Sequence, residues 1–407
     1  MVNPSLRRPS VWREPGMPGL LLTTGLAFAG FAVLMPVAPM HVVALGGDVF
    51  LAGLTNAVLM ATTILTQLVV ERVRSRIGWS AILALGCLLL GLPALIEILA
   101  SQAWHVIVLA AVRGTGFGII TVSGASAVAV LFTPERRGRA VGAYGLAVAA
   151  SQLVLTPTAP WIAESAGFTM ALVVAAIPIL GVPFAISTGA TIERRSSGSP
   201  STPNTRTTPY GAATTRGALA RVLPAIIALT AVTCSGGAIM TFAPQFVPNA
   251  VLTLIALLIF TGAAAIARWV AGSLADRFGA KTFIVPGLAV AVLGLIGIAG
   301  SVAGTAGSGG PALLVAGAFL VGVSFGVMQN VTLVRAFELA GEEAKGTAST
   351  AWNVAFDSGT GIGALAIGAL AASTSFAFSF VLLAAVCFIV GVVLLGYGAR
   401  GGSAAGR

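Results

Sequence analysis

The segment GSLADRFGAK, residues 272–281, is a short charged connection between two long apolar runs at 250–275 and 282–303. Each run exceeds the roughly 20 residues that an α-helix needs to cross about 30 Å of hydrocarbon. Charges gathered in a short connection between two such runs are typical of a chain that turns back at a membrane surface. The segment therefore predicts two membrane-spanning helices joined by a loop.

Further apolar runs of the same kind flank these two. The predicted spans are 17–39, 49–70, 79–100, 104–131, 140–163, 168–191, 220–247, 250–275, 282–303, 311–339, 346–372 and 375–397. Long runs without alternation of period two favour helices over β-strands. Charged residues make up only 8% of the 407 residues and hydrophobic residues 57%, too few charges to cover a soluble protein. We predict an all-α membrane protein with twelve transmembrane helices.

The net charge of +10 indicates topology. With the N-terminus inside, every Lys and Arg except Arg113 falls on the cytoplasmic side, and Arg268, Arg277 and Lys281 are assigned to the connection after the eighth span. The positive-inside rule then places both termini in the cytoplasm, with the protein in the cell inner (plasma) membrane. We expect the lipid bilayer as a partner and no nucleic acid, because the cations are spread over membrane-flanking loops.

Several classes of site are not predicted. Cys87, Cys234 and Cys387 fall inside spans without paired spacing or a neighbouring His, so neither a disulfide nor a metal site is expected. The chain has no GxxxxGK[ST] segment for ATP and no credible Ser/His/Asp arrangement. We therefore expect no cofactor and no enzymatic activity.

A polar stretch at 193–219, rich in Ser, Thr, Pro and Arg, divides the spans six and six. It cannot bury a core, which predicts a mobile cytoplasmic linker. The predicted organisation is a cytoplasmic N-terminal tail (1–16), an N-terminal six-helix bundle (17–192), the linker (193–219), a C-terminal six-helix bundle (220–398) and a cytoplasmic tail (399–407).

The two bundles repeat each other weakly. The matched pairs are MPVAP at 35–39 with MTFAP at 240–244, RIG at 76–78 with RFG at 277–279, GxxFG at 114–118 with 322–326, and RG at 137–138 with KG at 345–346. They occur in the same order and at equivalent places, which indicates two pseudo-symmetric, duplicated halves.

Residues 272–281 resemble the loop signature GxLaDrxGrk of the major facilitator superfamily. In that family the loop latches the cytoplasmic side of the two halves, which here implies a latch of Gly272, Asp276, Arg277, Gly279 and Lys281. The first-half loop is degenerate, because Ser75 stands where the family has Asp. The residues carried over there are Glu71, Arg76 and Gly78, with Glu71 able to take over the acidic role.

The first span resembles a signature of twelve-helix proton-coupled drug and sugar efflux carriers, through Gly30 followed by Pro36-Val37-Ala38-Pro39. Pro36 and Pro39 remove backbone donors, and we expect them to kink this helix at a cavity wall. The resemblance implies the major facilitator fold, with the halves rocking about a central site. The fifth span departs from the antiporter pattern, since LTPTAP at 155–160 lacks its paired glycines.

Two charges are expected inside the hydrocarbon layer. Arg113 lies about a third of the way along its span, and Asp357 lies near the middle of its own. A charge at such a depth costs about 2.5 to 3.5 kcal/mol and needs a partner or a wet cavity. The repeat places Val321 and Ala149 at the matching positions, so the scaffold itself does not require either charge. We expect Asp357 to exchange a proton or pair with a cationic substrate, and Arg113 to tune the site.

Polar residues within the spans are candidates for lining the central cavity. They are Asn56, Gln67, Gln152, Gln329, Asn330, Trp352 and Asn353. Glu97 and Glu164 are expected at outer helix ends, where water solvates them, and His41 is expected to be an interface residue at the outer mouth.

These features together lead us to expect a monomeric secondary transporter that exports a small amphipathic molecule or a sugar, coupled to protons. Two alternatives stay open at this point. The same fold could carry out uptake or facilitated diffusion of a metabolite, which the altered fifth span favours. The chain could also be a non-transporting membrane scaffold or sensor.

Overall fold

The computed structural model describes residues 10–198, 212–247, 249–305, 307–341 and 344–404. Its helices are α1 (Met17–Ala44), α2 (Val49–Glu97), α3 (Ala103–Leu131), α4 (Pro134–Ala166), α5 (Phe168–Ala175), α6 (Val182–Gly198), α7 (Ala212–Phe246), α8 (Ala250–Phe278), α9 (Ile284–Val302), α10 (Gly310–Ala340), α11 (Lys345–Ser373) and α12 (Phe376–Ala404). Short 3-10 turns lie at Val11–Arg13, Ile177–Gly181, Ala280–Phe283 and Gly307–Gly309. No β-strand occurs among the described residues.

The predicted twelve-span, all-α fold is confirmed. Within the described ranges, eleven helical stretches are long and apolar enough to cross a membrane. One of them, α2, has 49 residues, which corresponds to about 74 Å of helix and more than two bilayer cores. It breaks at Gly78 and so provides two crossings. The sixth crossing is composite, because α5 and α6 continue each other through the turn Ile177–Gly181.

The break in α2 has a local cause in the sequence. Gly78 has φ 86° and ψ 175°, a backbone conformation that glycine adopts without a steric penalty. The part of α2 after Gly78 begins with backbone N–H groups that have no partner within the helix. Glu193 of α6 caps them, accepting from Trp79 N at 2.7 Å and Ser80 N at 3.1 Å. In the second half, Gly279 has φ 81° directly after α8. The repeated RIG and RFG segments thus carry the turning glycine of each half.

The halves meet mainly along two pairs of helices. Helix α2 packs against α11, and α4 packs against α8. Small residues allow a close approach in the first pair, where a Cβ on Gly53 would overlap the Ala364 carbonyl and one on Gly361 would lie 2.9 Å from Met60 Cβ. Asn56 donates from Nδ2 to Thr241 Oγ1 at 2.9 Å, which links α2 to α7 across the halves.

The predicted linker and the predicted terminal tails lie partly outside the described residues. Helix α6 ends at Gly198 and α7 begins at Ala212, so helix occupies both flanks of the predicted linker, while 199–211 lie outside the described residues. Residues 1–9 and 405–407 of the predicted tails also lie outside them. The domain limits therefore stay a prediction.

Helix α1 runs without interruption through Pro36 and Pro39, both of which are buried.

Candidate functional site

A cavity of about 60 Å³ lies between the halves and is lined by α4, α7, α8 and α10. Its polar lining is Gln152, Thr156, Thr261, Arg268 and Gln329. Its apolar lining is Val148, Ala149, Leu153, Met240, Phe260, Ala264, Ala265 and Phe325. A mostly apolar cavity with a few convergent polar groups is typical of a small-molecule site.

Arg268 is placed differently from the sequence prediction. It lies in α8 about ten residues before the helix ends at Phe278, or about 15 Å along the axis, and not in the following connection. Arg268 is an exposed residue that also lines the cavity, and its Nη1 donates to Gln329 Oε1 of α10 at 2.9 Å. The prediction that Arg113 is the one cation away from the cytoplasmic loops is therefore wrong. The signal was present, since Arg268 falls inside the apolar run 250–275.

Asp357 lies at the contact between the halves. It projects from α11, is only 6% exposed, and its Oδ2 accepts from Gln67 Nε2 of α2 at 2.8 Å. Gln67 also donates to Thr121 of α3 at 3.4 Å. In the described part of the chain, Gln67 is the hydrogen-bond partner of this carboxyl group. One hydrogen bond from an amide therefore joins the two bundles through a carboxyl group deep in the protein.

Arg113 has a partner that the sequence did not predict. In α3 its Nη1 donates to Oε2 of Glu97, at the end of α2, and both side chains have no exposed surface. Glu97 Oε1 lies 3.2 Å from His41 Nδ1, and the His41 ring stacks on Phe168 at 4.9 Å between centroids. The expectation that water solvates Glu97 is thus wrong, and Glu97 is the partner that a charge at the depth of Arg113 needs. Two oppositely charged residues at neighbouring ends of adjacent spans were the available signal.

The other cavity candidates are dispersed. Gln152 and Gln329 line the cavity. Asn56 is fully buried and bonded to Met35 O and Thr241. Trp352 is buried and donates to Thr332 Oγ1 at 3.0 Å, whereas Asn353 is exposed and donates to Ser349 O within its own helix. Asn330 Nδ2 donates to the Arg268 carbonyl of α8 at 3.4 Å and is not one of the cavity-lining residues.

The loop residues expected to form a latch lie at the surface. Asp276 and Lys281 are exposed, and within the described ranges neither forms an ion pair. Arg277 packs its guanidinium over Phe278 at 5.1 Å. Gly272 faces α10, where an added Cβ would lie 3.4 Å from Asn330 Nδ2.

In the first half, Glu71 contacts residues of its own bundle. Glu71 pairs with Arg74 one turn away at 2.5 Å and accepts from Ser126 of α3 at 3.1 Å, while Arg76 is exposed. In the second-half loop, Asp276 forms an ion pair with neither Arg277 nor Lys281 among the described residues.

A sequence model described as Major Facilitator Superfamily matches residues 20–360 and 249–403. No curated protein matches the chain. Among solved structures, a bacterial homologue of the human lysosomal transporter Spinster, inward-facing and unoccupied, aligns with TM-score 0.73 and 14% identity over 93% of this chain and 95% of that one. The peptide transporter POT in complex with sulfate gives 0.74 and 17% over 95% of each chain. The nucleoside transporter NupG gives 0.71 and 13% over 94% and 99%. At these identities the structures establish the fold alone.

Proposed function

Because this chain belongs to the Major Facilitator Superfamily, we propose that it exports a small amphipathic molecule or a sugar in exchange for protons. Its two bundles rock about the central cavity and open it to each side of the membrane in turn. The protein works in the plasma membrane with both termini in the cytoplasm, as the distribution of Lys and Arg in the sequence favours.

The observation that carries the proton-coupling proposal is the hydrogen bond between Asp357 and Gln67 across the two bundles. A charged carboxylate is expensive to bury between apolar helices when one amide is its partner, whereas a protonated carboxyl group is much cheaper. Closing α2 on α11 therefore favours a bound proton at Asp357, and separating the helices admits water that can remove it. Proton binding and the movement of the halves are coupled in this way.

The size of the cavity supports alternating access. Pockets that hold drug-sized ligands measure about 300 to 1,000 Å³, and the cavity measures about 60 Å³. A substrate fits only after the walls formed by α4 and α8 have moved apart. The residues that line the cavity come from both bundles, so relative motion of the bundles changes its volume directly.

Reconstitution into vesicles tests the coupling. Purified protein in vesicles containing a pH-sensitive dye is challenged with ethidium, naphthalene-2-carboxylate or phenyl glucoside, and protein-free vesicles correct for leakage. We expect protons to move opposite to at least one probe. In Asp357→Asn, pH-driven flux of that probe is lost while exchange down its own gradient remains. Glu164→Gln, which alters an exposed acid of α4, serves as the control and keeps wild-type coupling.

The same measurement separates the rival function of uptake or facilitated diffusion, which the missing glycines at 155–160 favour. Protons that move in the same direction as the probe indicate uptake. Probe movement without any proton movement indicates facilitated diffusion. Undiminished pH-driven flux in Asp357→Asn would contradict the role of Asp357.

A further inference from the structure

We propose that the cavity binds an organic anion, with Arg268 and Gln329 holding its acidic group. This inference rests on the proposed transport function and specifies the substrate class. Arg268 presents its guanidinium to the cavity from α8, and Gln329 fixes it by accepting from Nη1 at 2.9 Å. A guanidinium has five N–H donors in a planar fork, and the donors not engaged by Gln329 match two oxygens of a carboxylate or phosphonate.

The charge of Arg268 has no carboxylate partner among the described residues. Arg113 provides an internal comparison, since it is fully buried and pairs with Glu97. The chain thus neutralises the arginine that no ligand can reach and leaves unpaired the arginine that faces the cavity. Arg268 is exposed within a membrane-crossing helix and is therefore accessible to an incoming ligand, and an anionic ligand supplies the counter-charge when it binds.

The cavity residues other than Arg268 and Gln329 indicate the chemistry of the part of the ligand that is not its acidic group. Its walls near Arg268 are apolar and partly aromatic, including Met240, Phe260 and Phe325. On the facing helix α4, Gln152 and Thr156 offer neutral hydrogen-bonding groups. An acidic head on a compact apolar or aromatic body matches this arrangement, whereas a cationic head would meet Arg268 with like charge.

Equilibrium binding to the purified full-length protein in detergent, without any pH gradient, tests the proposal. The probes are naphthalene-2-carboxylate and phenylphosphonate, compared with the neutral naphthalene-2-carboxamide and the cationic naphthylmethylamine. We expect the wild-type protein to bind at least one anion and to bind the amide and the amine much more weakly. In Arg268→Gln, loss of charged hydrogen bonds weakens binding of the anion about ten- to hundredfold.

Arg268→Lys keeps the charge but not the fork, and we expect an intermediate affinity. Arg335→Gln on α10 is the matched control, since Arg335 pairs with Glu338 away from the cavity and its loss leaves anion binding unchanged. Size-exclusion chromatography checks that each variant is folded, and the comparison of anion with amide on the wild-type protein requires no variant.

Three results would overturn the proposal: no binding of either anion, equal binding of anion and amide, or unchanged binding of anions in a folded Arg268→Gln. Its failure is distinguishable from failure of proton-coupled export. Proton-driven flux of ethidium without anion binding refutes only the organic-anion specificity. Anion binding that depends on Arg268, in a protein that moves no protons, refutes only the coupling.

Discussion

Arg113 and Arg268 both lie inside membrane-crossing helices, yet their environments call for different partners. Arg113 is enclosed on every side and relies on Glu97, which also contacts His41. Arg268 faces a cavity and bonds to the neutral Gln329. A buried ion pair is costly to break, because the remaining charge stays desolvated, but it adds little over an apolar pair of similar volume. The pair in the first bundle can therefore be tested by removing one member and then both.

Glu97→Leu leaves the Arg113 guanidinium buried without a counter-charge, and we expect a loss of about 3 to 5 kcal/mol in the free energy of unfolding. The double variant Glu97→Leu with Arg113→Met removes both charges and should recover most of that loss. Thermal unfolding of the detergent-solubilised protein, followed by intrinsic tryptophan fluorescence, measures both. Glu164→Leu, at an exposed position near the end of α4, is the control. A double variant that unfolds as early as the single one would show that the pair is not what stabilises this region.

The sequence predicts the depth of a charged residue in the membrane better than it predicts the partner of that residue. The burial of Asp357 within a membrane-crossing helix could be predicted, because this acid lies in the middle of an apolar run, whereas its role stays a prediction. The partner of Arg113 could not, because pairing with Glu97 depends on how two helices rotate against each other. For Arg268 the sequence predicts a position in the loop, because the boundaries of apolar runs are uncertain by several residues and counting cations by the positive-inside rule favours the loop.

At the level of elements, the predicted runs correspond closely to helices, but the joints between them required the structure. Gly78 and Gly279, where the backbone turns, are the last residues of the repeated RxG segments, so the match between the halves predicts both positions. The sequence does not predict that Glu193 caps the part of α2 after Gly78, because Glu193 belongs to α6 and lies more than a hundred residues away. The composite crossing of α5 and α6 also has no clear sequence signal, since Pro178 is tolerated within membrane helices.

Glu14 joins three elements at the predicted cytoplasmic surface, because it precedes α1 and accepts from Arg136 of α4 at 3.0 Å and Arg195 of α6 at 2.9 Å. Burial raises the pKa of the Glu14 carboxyl group, but the hydrogen bonds and charges of Arg195 and Arg136 outweigh it and hold the pKa below the ordinary value of 4.5. The folded-state pKa is thus lower than the unfolded one. The resulting stabilisation is present above about pH 4.5 and is lost as the pH falls through the folded-state pKa.

We therefore expect Glu14→Gln to lower the melting temperature at pH 6 to 7, and this difference from the wild-type protein should shrink steadily as the pH falls toward about 3. Because the ion pairs are partly exposed, the shift is small, of the order of a few degrees. Differential scanning fluorimetry over a pH series measures it. Glu338→Gln, at a more exposed ion pair on α10, is the matched comparison and should give a smaller shift. A difference that stays constant with pH would contradict the assignment to Glu14 ionisation.

At the level of the whole molecule, the repeat predicts two bundles, but not which faces meet. Apolar residues cover both the lipid-facing and the partner-facing sides of a membrane helix, so hydropathy does not separate them. In the structure, α2 and α11 stay in contact from Gly53 with Ala364 to Gln67 with Asp357. Beyond Gln67, toward the loop at Gly78, the residues of α2 are mostly exposed. The bundles are thus joined on the side that the topology prediction places outside, and in the described part of the chain Asp276 and Lys281 on the opposite side form no ion pair.

This arrangement predicts how the access of water to the cavity can be reversed. A Cβ on Gly53 would overlap the Ala364 carbonyl, so Gly53→Leu should force α2 from α11 at the outer end and favour a state open to the outside. The reporter is Gln152→Cys, which lies in the cavity lining, labelled on intact cells by a membrane-impermeant maleimide. The native cysteines are buried and provide a low background. We expect labelling to be several-fold faster when Gly53→Leu is present. Gly391→Leu in α12, where an added Cβ would meet Leu288 Cβ only at 3.8 Å, should leave the rate unchanged. Equal labelling in both variants would mean that the contact between Gly53 and Ala364 does not hold the outer side closed.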